Sequence, residues 1–199
     1  MNYFTIKAEA EEIHIEKKSK FIAYTFPIKS ENIFKEALGD LKEIHPKANH
    51  HCWAYIFGDT GEIEKCSDDG EPSGTAGLPI LGQLKSKELT YSACVVVRYF
   101  GGIKLGKGGM VKAYKEAARQ SIECTEIIKK EICIDYRVKV KYAHINRIMQ
   151  LIKRNNITIR FQDISETSIF IIDVPLNIVE YVDSVLESFV IEFSRELPN

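Results

Sequence analysis

Residues 95–114, VVVRYFGGIKLGKGGMVKAY, constrain the fold more than any other stretch. The opening apolar run, part of YSACVVVRYF at residues 91–100, has no polar alternation, so it reads as a strand buried on both faces. Glycines follow at Gly101, Gly102, Gly106, Gly108 and Gly109. Behind them Met110, Ala113, Tyr114, Ala117, Ala118 and Ile122 mark one face of a helix, with Lys112, Lys115, Glu116 and Arg119 on others. A strand, a glycine turn and a helix start together suit an anion, because the first N–H groups of a helix have no partner within it. The same glycines serve tight turning and close helix packing equally well.

Around this stretch the pattern is α+β. Strands are expected at residues 4–7, 13–16 and 21–28, then a helix in which Ile33, Phe34, Ala37, Leu38, Leu41 and Ile44 share a face, with Ser30 as N-cap and Pro46 past its end. HHCWAYIF, residues 50–57, is a further strand. The polar, glycine-rich stretch after it, as far as Pro79, reads as one long loop, and a short helix at residues 80–87 follows. From residue 131 the order becomes strand, helix, strand, strand, helix, strand, the βαββαβ of the split βαβ, ferredoxin-like unit, with its last strand at residues 190–197. Two domains follow, 1–130 and 131–199, each with helices on one side of a mainly antiparallel sheet.

The segment GGIKLGK, residues 101–107, satisfies the phosphate-binding pattern of nucleoside-triphosphate hydrolases, and IFIID ending at Asp173 resembles an acidic partner strand. The chemistry objects. Gly108 stands where a magnesium-binding hydroxyl is needed, and Asp173 falls in the other domain.

Arg98 ends an apolar strand and needs a partner, either a phosphate or the loop acids Asp68, Asp69 and Glu71. It is expected to organise those acids internally, leaving Lys104, Lys107, Lys112 and Arg119 as an outward basic patch beside the glycines. Within SDDGEPSGTAG, residues 67–77, Ser73 or Thr75 is expected to cap the following helix. Should the cleft instead be catalytic, His50, Asp68, Asp69 and Glu71 are its acid–base and metal-ligating candidates, in a small metal-dependent hydrolase or phosphate-handling enzyme. Adjacent His50 and His51 point to opposite faces of their strand, so only one of them serves a given site. Arg137, Lys139 and Lys141 recur at period two and give a secondary basic face on a strand of the second domain.

Composition narrows the classes. A net charge of −1 offers no global basic excess, so any nucleic-acid surface must be local. There is no signal-like segment and no apolar run of bilayer-spanning length, which points to a cytoplasmic chain without a membrane. Cys52, Cys66, Cys94, Cys124 and Cys133 lack metal-ligand spacing and read as reduced thiols, so neither a disulfide nor a resident metal or cofactor is expected.

Two motifs, HHCWAYIF with SDDGEPSGTAGLPIL and VVVRYFGGIKLGKGGMVKAY, resemble the IMPACT family in its bacterial two-domain YigZ-type branch, and the resemblance spans the chain. Lys107 departs from the family pattern, in which a small hydroxyl residue is commoner. The resemblance implies an N-terminal βαβ-type domain like the fourth domain of elongation factor G, and a ferredoxin-like C-terminal domain. It also implies a translation regulator associated with RNA or the ribosome, or one that acts through a protein partner. The combined expectation is a binding protein rather than an enzyme.

Overall fold

The computed structural model describes residues 2–196, an α+β chain that divides into two compact units. The first is Tyr3–Lys130; the second comprises Asn2 and residues 131–196. Residue 1 and residues 197–199, included in the expected domains and in part of the expected last strand, lie outside the described residues.

Strand β1 (Asn2–Ile6) pairs with β7 (Ile127–Glu131) in a two-stranded sheet of its own, apart from the strands that follow β1 in sequence. The main sheet of the first unit contains β2 (Ala10–Glu16), β3 (Ser19–Pro27), β4 (His50–Phe57), β5 (Ile63–Ser67) and β6 (Ser92–Tyr99). Their order is β2-β3-β6-β4-β5, and every neighbouring pair is antiparallel. Strand β5 lies inside the stretch expected to be loop. Its EKCS sequence is polar because β5 is an edge strand with mostly exposed side chains, so hydrophobicity does not reveal it.

Helices cover both faces of this sheet, not one. Alternation along β6 sends Val95 and Val97 to the face covered by α1 (Glu31–Ile44), where they join Phe34, Leu41 and Tyr55. Cys94 and Val96 go to the other face, against α2 (Gly77–Ser86) and α3 (Gly106–Glu123), through Ile80, Leu84, Tyr114 and Ala117. A strand whose middle, Ala93 to Val97, is wholly apolar and buried therefore lies at the centre of a three-layer unit. Ser30 caps α1, its Oγ accepting the Ile33 N–H at 3.4 Å. Ile33 and Ile44, placed by helical spacing on the buried face of α1, are instead exposed.

Helix α2 is capped by neither Ser73 nor Thr75. Its N-terminus rests on Asp68, whose Oδ1 accepts the N–H groups of Ala76 at 2.9 Å and Gly77 at 2.8 Å, while Oδ2 accepts that of Gly74 at 2.8 Å. The Thr75 hydroxyl donates to the Pro72 carbonyl instead.

The second unit runs β8 (Cys133–Lys141), α4 (Ile145–Arg154), β9 (Thr158–Asp163), β10 (Thr167–Pro175), α5 (Val179–Leu186) and β11 (Glu192–Glu196). The strand order is β11-β8-β10-β9, antiparallel throughout. Even-numbered residues from Ile134 to Val140 and from Phe170 to Val174 pack with Ile148, Leu151, Val182 and Leu186 in one core.

Burial opposes ionisation of Asp68, but three backbone N–H groups outweigh it and hold the carboxyl below its ordinary range. Its contribution to stability is therefore present above the unfolded-state pKa of about 3.9 and lost as the pH falls through the lower folded-state value. Asp68→Ala should cost about 2 kcal/mol in urea unfolding at neutral pH. The difference from the native chain should shrink below about pH 4.

Candidate anion-binding cleft

The alternation that buries β6 also places Arg98. Continuing the row of Cys94 and Val96, it lies on the α3 side of the sheet, opposite Phe21 of β3 and His50 of β4 in register. Arg98 is 6% exposed. Its Nη1 ion-pairs with Glu71 Oε1 and lies 3.6 Å from Met110 Sδ, and its guanidinium sits 5.4 Å from the Phe21 ring centre and 5.7 Å from that of Phe100. The Tyr114 hydroxyl donates to the same Glu71 oxygen at 2.8 Å. Arg98 Nε is buried without a hydrogen-bond acceptor, and Nη2 makes no hydrogen bond among the described residues.

In front of Arg98 lies a cleft of about 470 Å³, lined by Asn49, His50, Arg98, Phe100, Lys104, Leu105, Gly106, Lys107 and Met110. Among the described residues no carboxylate lines it. Two amides of the glycine turn are already used: the Phe100 N–H donates to Asn49 Oδ1 at 2.8 Å and the Gly101 N–H to Ser19 Oγ at 3.2 Å. Those of Gly106, Lys107 and Gly108, in the first turn of α3, have no acceptor among the described residues, and no side chain caps the helix.

The glycines divide by role. Gly101 is steric, since a Cβ there would sit 2.0 Å from the Lys18 carbonyl carbon in the β2–β3 turn. Gly102 and Gly106 take positive φ, +84° and +70°. Neither clash nor positive φ accounts for Gly108.

Lys104, Lys107 and Lys112 are exposed and make no ion pair among the described residues. Arg119 differs from them. Its guanidinium is paired with Glu116 at 2.6 Å and with Glu123, which removes it from the free basic patch. The hydroxyl of Tyr99 meets His45 Nδ1 at 3.0 Å, while Phe100 remains exposed at the cleft.

The loop acids are spoken for. Asp68 caps α2, Asp69 Oδ2 accepts the His51 N–H at 2.6 Å, and Glu71 binds Arg98 and Tyr114. His50 Nδ1 donates to the Asp69 carbonyl at 2.8 Å, leaving Nε2 3.9 Å from Glu71. His51 lies on the α1 side, where burial pushes its pKa down. Burial pushes the Cys52 thiol, 3.3 Å from the Tyr114 hydroxyl, up to about 12. Among the described residues no three His, Cys, Asp or Glu side chains converge as a metal site.

The likeness of GGIKLGK to a nucleotide-binding loop ends at the strand. Both neighbours of β6 are antiparallel to it, and Asp173 lies on β10 of the second unit. On the outer face of that unit Lys139 pairs with Glu192 at 2.7 Å, and Arg160 pairs with Asp135 and, at 2.6 Å, with Asp173. Arg137, Lys139 and Lys141 thus share a face of mixed charge.

Residues 17–122, which include every cleft-lining residue, match the family model of the Impact N-terminal domain. The chain belongs to the IMPACT family. It is 36% identical over 147 residues to the IMPACT family member YvyE of Bacillus subtilis, covering 74% of this chain and 68% of that one. It is 38% identical over 141 residues to the IMPACT family member YigZ of Escherichia coli, covering 68% of each. A crystal structure described only as a hypothetical protein superposes with a TM-score of 0.72 at 29% identity, over 100% of this chain and 98% of that one. The matched region of this IMPACT chain includes Glu71, Arg98 and Tyr114 as well as the open end of α3.

Removing one partner of the buried pair leaves the other charge stranded. Glu71→Ala should cost about 3–5 kcal/mol in urea unfolding, and a loss under about 1 kcal/mol would show that the pair is not maintained in solution.

Proposed function

We propose that this chain is a non-enzymatic binding protein that engages RNA or the ribosome through phosphate groups held in the cleft of its first domain. One observation carries this reading: among the described residues, a buried guanidinium with hydrogen-bonding capacity to spare faces a cleft without carboxylates, beside a helix N-terminus whose first N–H groups are unpaired. A helix N-terminus carries roughly half a positive charge. Lys104 and Lys107 add two whole charges at its edge, and no acidic partner neutralises them among the described residues. Phe100, 47% exposed, offers a ring on which a base can stack.

The domain reading belongs to the same proposal. A first domain ending at residue 130 is read as the type found in the fourth domain of elongation factor G. The βαββαβ order with sheet order β11-β8-β10-β9 supports reading the second as ferredoxin-like. Translation regulation enters through family resemblance. The metal-dependent hydrolase reading is the weaker one, because its candidate acids are occupied by N–H groups, Arg98 and Tyr114.

Binding of a fluorescent single-stranded RNA, followed by anisotropy across a salt series, tests the proposal. Log affinity should fall linearly with log salt, and Lys104→Glu with Lys107→Glu should make the slope shallower by about 1–2. An unchanged slope and affinity would remove the cleft from RNA recognition.

A further inference from the structure

A second concavity of the first unit has the opposite character. It is a groove of about 400 Å³ between α1 and the β2–β3 side of the sheet. Phe26, Ala37, Leu41 and Ile44 supply its apolar surface, and Glu9, Glu11 and Asp40 supply three carboxylates. No lysine or arginine lines it, and none of the three carboxylates makes an ion pair among the described residues.

Exposed apolar surface continues from the groove. Ile44, at its rim, is 65% exposed. On β2, Ile13 and Ile15 follow Glu11 at period two and so share its face, and both are exposed. β2 is an edge strand of the sheet. Single exposed isoleucines are ordinary, but Ile44 at the rim of an apolar groove, with two more on the strand face of its Glu11, is the kind of exposed apolar surface that marks an interaction site.

We infer that this groove docks a protein segment in which lysines or arginines flank apolar anchor residues, with Glu9, Glu11 and Asp40 meeting the cations. Charge complementarity selects the occupant. An apolar floor whose charged lining residues, among the described residues, are all acidic favours a basic amphipathic chain over acidic partners and phosphate backbones. The inference rests on observations separate from the phosphate cleft and does not depend on it.

The test is a titration of the full chain with a short amphipathic peptide of leucine and lysine at about 0.15 M salt, read by amide NMR shifts. Peptides with glutamate in place of lysine, and with serine in place of leucine, serve as controls. Saturable binding is expected for the leucine–lysine peptide alone, with shifts confined to β2, β3 and α1. Glu11→Lys combined with Asp40→Lys should weaken it about tenfold or more, as expected when two or three charge pairs are reversed. Ile44→Asp, at an exposed site that leaves the core intact, should weaken it as well and keeps the test valid if the double variant unfolds. RNA binding should survive in the Ile44 variant, which separates this groove from the cleft. Equal affinity in the variants, shifts mapping elsewhere, or sedimentation showing the patch covered by a second copy of the chain would each overturn the inference.

Discussion

The pairing of Arg98 with Glu71 is the interaction on which the first domain's site depends. Taking two charges out of water is costly, and the cost is offset only when geometry and further hydrogen bonds are good. Here Glu71 also accepts from Tyr114 of α3, and Arg98 packs against Phe21 of β3 and Met110 of α3. One carboxylate thus fastens the loop after β5, the end of β6 and the glycine-led helix to one another. The fastening uses only part of the guanidinium, and the remainder is held beside the cleft.

Much of this architecture was legible in the sequence because it follows from alternation. The unbroken apolar run of β6 announced burial on both faces, and Glu71 was among the three acids open to Arg98. Other features were hidden for physical reasons. Helical periodicity says that one side of α1 or α3 is buried but not which face of a sheet it covers, so the two-sided layering is not legible in it. Strand β5 is polar and peripheral, and it leaves almost no hydrophobic trace. Asp68 caps a helix that begins nine residues after it, beyond the range of local capping patterns. Sequence position places Arg119 in the outward basic patch, but its helix neighbours Glu116 and Glu123 hold its guanidinium.

A net charge of −1 conceals a polarised domain. The positive groups at the head of α3 and the acidic groove beside α1 are separate places, and totals of lysine and glutamate average them away. Local potential, not overall charge, governs which partners such a surface attracts.

The most direct measurement follows the Arg98 side-chain Nε–H and the backbone amides of Gly106, Lys107 and Gly108 by NMR as a short RNA is added. If the unsatisfied guanidinium and the open helix end form one anion site, these signals shift together along a single saturation curve. If RNA binds while they stay fixed, the cleft is not where its phosphates are held.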